Sequence, residues 1–252
     1  MWKILCALGA VGLAALLVPV RADEDAKLRE LVERAIKASG GADNLSKYQA
    51  SVTKQKGKFH GLGDALEFTT ETSVQLPDRL RAEVHFKANG QEITFVQVFA
   101  ADKGWIKIGN MTEEMNKEML AEAKEQMHAT VIVTQLVCLK DKDYKLSPLG
   151  EGKVGSRPAI GVRVERKGYR DVNLFFDKDK SLLLKMETRG KDVMQGGQEY
   201  TSTTLYDDYK KVEGIMVPHK VTVERDGKPY VEAEVIKVEI VEKLDNHLFA
   251  KP

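Results

Sequence analysis

Few side chains in this sequence are arranged in a pattern that supports chemistry. The five histidines lie far apart, in no H-E-x-x-H motif and in no Cys/His ligand spacing: His60, His85, His128, His219 and His247. Cys138 lies in the apolar segment VTQLVCLKD, a setting that raises the pKa of a thiol and favours burial over nucleophilic attack. No G-x-S-x-G nucleophile motif is present. The sequence therefore predicts no enzyme activity, no metal site and no cofactor.

A glycine-rich segment, GEGKVG at Gly150 to Gly155, matches the G-x-G-x-x-G pattern of dinucleotide-binding proteins. That pattern binds a pyrophosphate only when a strand precedes it and a helix begins within it. Here Pro148 precedes the segment, and a period-two segment follows Arg157-Pro158. We interpret the glycines as part of a hairpin turn.

The first 22 residues have the composition of a secretory signal peptide. A basic residue precedes an apolar run from Ile4 to Val18, and small residues occupy positions −3 and −1 of a predicted cleavage site after Ala22. The run is shorter than the roughly 20 residues that a membrane-spanning helix needs, and Pro19 interrupts it. We expect residues 1–22 to be a signal peptide and residues 23–252 to form a single domain that is periplasmic or otherwise exported.

Charge and cysteine content restrict the function of the predicted domain. Removing residues 1–22 also removes Lys3 and Arg21, which changes the formal net charge from +1 to −1. A nearly neutral chain has no global electrostatic attraction to nucleic acid, so we expect no nucleic-acid partner. Cys138 is then the only cysteine, and an intramolecular disulfide is impossible.

Hydrophobic periodicity divides the domain into an opening helix and a series of strands. Asp25 to Ser39 carries apolar residues at helical spacing, and Gly40-Gly41 ends the helix. From Ser51 onward the period changes to two, with turn pairs at Asn89-Gly90 and Asp226-Gly227. About eleven short strands without a Pro-rich or Gly-rich linker indicate one antiparallel β domain with few helices.

One segment in the middle of the chain has a helical pattern instead. It runs from Thr112, a suitable N-cap, to about Gln135, and Met115, Met119 and Met127 lie on one side. Methionine fills gaps in ordinary cores, but it also lines surfaces that accept variable apolar ligands. The helix is therefore either packed into the core of the sheet or a lid that faces a ligand.

The C-terminal half resembles the LolA/LolB-like outer-membrane lipoprotein-sorting proteins of bacteria. The resemblance rests on the FFD....LL.K strand pair, on YDDY..V.GI.VPHK at Tyr206 to Lys220, and on the closing KLDNHLFAKP. The opening helix with ASGGADNL and the strand QLPDRLRAEV are also similar to that family. The resemblance implies a mainly β fold, a strongly curved antiparallel sheet forming an incomplete β-barrel, with helices covering its open side. It further implies an apolar cavity that accepts acyl chains.

Apolar side chains on the predicted strands and on the middle helix are the candidate ligand-binding residues: Phe68, Val84, Phe86, Phe95, Trp105, Met115, Met119, Leu174, Phe176, Val221 and Val223. The expected partners are the acyl chains of a lipid or lipoprotein and a membrane-bound donor or acceptor protein. The expected function is carriage or sorting of that cargo towards the outer membrane. The alternative is a structural or protein-interaction module whose sheet is filled by its own core.

Overall fold

The computed structural model describes residues 18–88, 90–193 and 196–252. Within these ranges the helices are α1 (Val18–Ser39), α2 (Ala42–Lys47) and α3 (Lys117–Gln135), with short 3-10 helices at Val137–Lys140 and Asn246–Phe249. The strands, in chain order, are β1 (Ala50–Phe59), β2 (Leu66–Gln75), β3 (Arg79–Ala88), β4 (Gln91–Ala100), β5 (Lys103–Ile108), β6 (Met111–Glu114), β7 (Tyr144–Val154), β8 (Arg157–Arg166), β9 (Val172–Asp177), β10 (Leu183–Asp192), β11 (Gln198–Val212), β12 (Ile215–Arg225) and β13 (Lys228–Val241).

All of these strands belong to one antiparallel sheet. Its order is β6-β5-β4-β3-β2-β1-β13-β12-β11-β10-β9-β8-β7, so each half of the chain forms a meander and the halves join where β1 pairs with β13. In the described residues β6 and β7 are the two edges, and the sheet does not close into a barrel. The predicted fold class, a mainly β chain with an incomplete curved antiparallel barrel and a few helices, is confirmed.

Strand register defines two faces of the sheet. Residues paired across an antiparallel ladder point to the same side, and neighbours along a strand alternate. Val221 pairs with Ala233, Ala233 with Gly57, and Gly57 with Phe68, so these residues share one face. The three α-helices pack on this side, which we call the inner face.

Two apolar clusters fill the opposite ends of the inner face. The larger one packs α1 and the end of α3 onto β8 to β10, and the α1 residues that the sequence placed on one helical face are at most 5% exposed: Leu28, Leu31, Val32, Ala35 and Ile36. The smaller one, the methionine cluster, packs Met115 and Met127 against Phe99 of β4. The middle of the inner face, at β1 and β11 to β13, lies between them.

Gly57 allows β1 and β13 to approach closely at the junction of the two meanders. A Cβ atom at this position would lie 1.9 Å from the carbonyl oxygen of Glu232. Any side chain would therefore push the two strands apart, and only glycine fits. The register also shifts at Lys54/Gln55, a β-bulge, and bulges increase the local bend of a sheet.

The structure corrects the predicted start of the middle helix. Thr112 lies in the edge strand β6, and the helix begins at Lys117. Asn116 is its N-cap, because the Asn116 side chain accepts hydrogen bonds from the backbone N–H groups of Glu118 (3.0 Å) and Met119 (2.9 Å). The predicted end of the helix, at Gln135, is confirmed.

The predicted turns lie between consecutive strands of the sheet. Asp226 and Gly227 both have positive φ, 49° and 73°, and connect β12 to β13 as expected for a two-residue hairpin. Asn89 lies outside the described residues, although β3 and β4 flank it as predicted. In the glycine-rich segment the turn is shorter than predicted, because β7 extends to Val154.

Candidate ligand-binding site

An apolar pocket of about 260 Å³ lies on the inner face between the two apolar clusters. Its floor comes from β1, β11, β12 and β13, and its roof from α2 and the last turn of α3. The apolar side chains that line it are Leu45, Ala50, Val74, Leu76, Val133, Leu136, Leu183, Tyr206, Tyr209, Ile215, Met216, Val217, Pro218, Val221, Val235, Val238 and Ile240.

Period-two alternation on β13 supplies apolar side chains to the pocket. Val238 and Ile240 face inward, opposite the polar Thr53 and Ser51 of β1, while the neighbouring Lys237 and Glu239 side chains form an ion pair on the outer face. On β11, the Tyr209 hydroxyl donates a hydrogen bond to the Leu183 carbonyl oxygen (2.7 Å). That bond satisfies the one polar atom of the ring and leaves its apolar edge for the pocket.

The roof of the pocket ends in an unusual backbone conformation. Leu136, the C-cap of α3, has φ 50° and is only 2% exposed. A positive φ is unfavourable for a γ-branched residue, and here burial of the Leu136 side chain and the hydrogen bond from its N–H to the Ile132 carbonyl (3.0 Å) offset the cost. The end of α3 is thereby fixed over the pocket.

A second pocket of about 270 Å³ continues the first along the same strands. Val133 and Tyr206 line both pockets, and Val223 of β12, two residues beyond Val221, lines only the second. Burial raises the pKa of Tyr206, whose ring forms the boundary between them. The second pocket, which we call the polar pocket, is more polar than the first, with Arg170, Arg225 and the carboxylate of Glu122 among its lining groups.

A buried ion pair connects α3 to the sheet beside this polar pocket. Arg170 binds Glu122 through two hydrogen bonds of 2.7 and 3.0 Å, and the Glu122 side chain is only 7% exposed. The Arg170 guanidinium also donates to the Arg189 carbonyl, and its backbone N–H donates to Glu125. The bonds to Glu122 raise the pKa of Arg170. This bidentate pair fixes the first half of α3 over the inner face.

Replacing Glu122 by Ala is expected to lower the free energy of unfolding by about 2 kcal/mol. The change leaves Arg170 without its buried partner, although partial exposure of the guanidinium reduces the cost. Urea denaturation of the variant measures the loss. Glu30→Ala is the matched control, because Glu30 pairs with Arg34 on an exposed helix surface and its loss should change stability by less than about 0.5 kcal/mol. Equal losses in the two variants would contradict a structural role for the buried pair.

His128 lies buried in an aromatic stack on the sheet side of α3. Its ring lies 3.9 Å from that of Tyr169 and 5.9 Å from that of Tyr144, both nearly parallel to it. Neither ring nitrogen has a hydrogen-bond partner among the described residues. Burial, and secondarily the positive charge of Arg166, lower the pKa of His128 to about 4. His128 is therefore a neutral packing residue at neutral pH.

The low pKa of His128 predicts a loss of stability in mild acid. The unfolded chain binds the proton near pH 6.5 and the folded chain only near pH 4, so stability falls as the pH decreases through this window, by about 3 kcal/mol. His128→Phe keeps the stack and removes the titration, so its free energy of unfolding should change less between pH 7 and 4. His247→Gln, at an exposed position, should follow the parent. Parallel pH curves for parent and His128→Phe would show the prediction to be wrong.

The structure places the eleven candidate residues in different surroundings. Val221 lines the apolar pocket and Val223 the polar one. Leu174 and Phe176 are fully buried in the larger apolar cluster, and Met115 is buried in the methionine cluster. Five others lie elsewhere on the inner face or at its edge: Phe68, Val84, Phe86, Phe95 and Met119.

Trp105 lies on the opposite, outer face of the sheet. It pairs with Val98, and both contact a small cluster that includes Phe249 from the C-terminal 3-10 helix. The sheet therefore separates Trp105 from both inner-face pockets.

Sequence reasoning missed most residues that line the apolar pocket. Val235, Val238 and Ile240 belong to a strand whose alternation was visible in the sequence, and Tyr206 and Tyr209 belong to the quoted YDDY segment. Leu45 belongs to α2, a one-turn helix too short to give a periodic signal. Among the described residues, no group of three or more His, Cys, Asp or Glu side chains is placed to hold a metal ion. None of the described helices is long and apolar enough to cross a membrane.

Comparison with known proteins finds likeness in structure only. The sequence matches no protein-family model and no curated protein. A LolA superfamily protein from Nitrosomonas europaea is similar over 88% of this chain and 97% of its own, with a TM-score of 0.55 and 10% identity. A DUF1329 family protein from Desulfovibrio piger is similar over 88% and 96%, with a TM-score of 0.56 and 11% identity.

A third similar structure carries a functional description in its name. It is a Vibrio parahaemolyticus domain named for outer membrane lipoprotein sorting, similar over 88% of this chain and 95% of its own, with a TM-score of 0.54 and 12% identity. None of the three names describes an enzyme. The chain thus has the fold of LolA superfamily structures, as the resemblance in its C-terminal half predicted.

Proposed function

We propose that this protein is an exported lipid-binding protein that carries a lipid, or the acyl chains of a lipidated protein, towards the outer membrane. The observation that supports the proposal is the apolar pocket, which remains open between two filled clusters of the inner face. A chain that only needed a core would gain stability by filling this space, because a cavity lacks the packing contacts of its lining.

The size of the pocket suits an acyl chain better than a bulky ligand. Its volume of about 260 Å³ lies just below the roughly 300–1,000 Å³ of small-molecule sites. Each buried methylene contributes about 0.8 kcal/mol, so a chain of about ten carbons gains about 8 kcal/mol before the cost of association is subtracted. The last turn of α3 roofs the pocket and would contact a bound acyl chain.

The proposal also covers export and partners. We propose that residues 1–22 are a cleaved signal peptide; most of them lie outside the described residues, and the cleavage position after Ala22 falls within α1. An exported carrier needs a membrane-bound protein that loads it or accepts its cargo. No catalytic step is required, because transfer of an acyl chain between apolar sites makes and breaks no covalent bond.

Native mass spectrometry of the protein purified from an exporting bacterial host tests the proposal. We expect an adduct in about one-to-one ratio, and solvent extraction of the adduct should yield an acylated molecule. N-terminal sequencing of the same sample should begin at Asp23. A mass without adduct, together with no uptake of added lipid or lipopeptide, would overturn the carrier function in favour of a scaffold that works through protein contacts.

A further inference from the structure

The apolar and polar pockets are adjacent along β11 and β12. Successive inward residues of β12, Val221 and Val223, line the first and the second pocket in turn. Val133 from the roof and Tyr206 from the floor line both. A molecule whose apolar chain lies in the first pocket can therefore reach the polar pocket with its other end by passing the Tyr206 ring.

Two arginines of the polar pocket are already paired within the protein. Glu122 binds Arg170 in the bidentate ion pair. Arg225 lies 3.2 Å from Asp192, and its guanidinium is stacked 4.1 Å from the ring of Tyr200 and 3.6 Å from the ring of Tyr230. Arg189 also lines the pocket, from an outer-face position of β10, and Glu125 and Asp171 add two carboxylates. A phosphate or carboxylate in this pocket would meet these carboxylates, and binding it through Arg170 or Arg225 would require an ion pair to break, which is costly for partly buried charges.

Uncharged hydrogen-bonding groups remain for a ligand. Thr188 of β10 and Ser202 of β11 are directly paired on the inner face and both line the polar pocket. Gln126 of α3 lines it from above. Hydroxyl and amide groups both donate and accept hydrogen bonds, so this set matches a ligand whose polar atoms do the same.

We propose that the polar pocket binds an uncharged, hydroxyl-bearing headgroup, such as the glycerol of an acylglycerol, while the acyl chain of the same molecule occupies the apolar pocket. This assignment rests on the proposed lipid-binding function and adds the chemical class of the ligand. It predicts discrimination by headgroup charge among amphiphiles with the same chain.

A competition experiment with the processed, exported protein tests the assignment. A fluorescent apolar probe is bound first and then displaced by a monoacylglycerol, by the fatty acid of the same chain length or by the matching lysophosphatidylglycerol. We expect the monoacylglycerol to displace the probe at about tenfold lower concentration than either anion, the effect of one to two hydrogen bonds and an avoided buried charge.

A double variant locates the effect in the polar pocket. Thr188→Val with Ser202→Ala removes the two hydroxyls at nearly constant volume and should weaken the preference for the monoacylglycerol without changing probe binding. Thr203→Val, on the outer face next to Ser202, is the matched control and should keep the full preference. Equal competition by all three amphiphiles in the parent, or an undiminished preference in the double variant, would overturn the headgroup assignment alone. A parent protein that binds no probe would overturn the lipid-binding function and this assignment together.

Discussion

Replacing Val238 by Asp is expected to weaken binding of a fluorescent fatty-acid probe about 100-fold. Val238 faces the apolar pocket from β13, where a carboxylate next to an acyl chain finds aliphatic neighbours and loses hydration. Leaving a polar group unpaired in such a setting costs about 3 kcal/mol, which corresponds to that factor in affinity. Fluorescence titration at neutral pH measures the change.

The same strand provides the control for this variant. Ile236 is 60% exposed and lines neither pocket, so Ile236→Asp should bind the probe as the parent does. Val238→Phe gives an independent steric test, because its ring fills the pocket without adding charge. It should also lower the affinity, even where the Asp variant does not fold. Parent-like binding by folded Val238→Asp and Val238→Phe would exclude this pocket as the ligand site.

Replacing Phe176 by Ala is expected to lower the free energy of unfolding by about 3–5 kcal/mol. Phe176 is fully buried in the larger apolar cluster, beneath the helices. The substitution loses the free energy gained when the ring is transferred from water to the core, and it leaves a cavity that the rigid sheet cannot close. Phe175→Ala is the matched control, since Phe175 is only partly buried on the outer face and its ring contacts the Lys185 ammonium. Its loss should be less than half as large.

This pair of variants also decides between core and ligand roles for Phe176. If Phe176 mainly contacts a ligand, the Phe176→Ala variant should lose lipid binding with little change in its free energy of unfolding. If Phe176 is a core residue, the free energy of unfolding of the variant should decrease, and the protein that remains folded should still bind the probe. Urea denaturation combined with probe titration of Phe176→Ala distinguishes the two cases, and an unchanged unfolding midpoint would assign Phe176 to the ligand.

Local sequence pattern determined the elements of this protein. The apolar spacing of Asp25 to Ser39 predicted the helical face that packs on the sheet, because a single helix turn relates residues only three or four apart. The alternation around Asp226-Gly227 predicted the hairpin of β12 and β13. Its two-residue turn needs a positive φ at both positions, and these residue types tolerate a positive φ. The quoted C-terminal segments indicated the fold itself.

Tertiary structure decided which faces meet and which remain open. Alternation shows that Trp105 and its neighbours face opposite sides, but it does not show which side the helices cover, and Trp105 lies on the outer one. Glu122 and Arg170 are 48 residues apart, and only the packing of α3 onto the sheet brings them together. The pocket exists because α2, the end of α3 and four strands from both ends of the chain leave space between two filled clusters. The volume of the pocket depends on how side chains from elements distant in the sequence pack together, so no local sequence pattern predicts it.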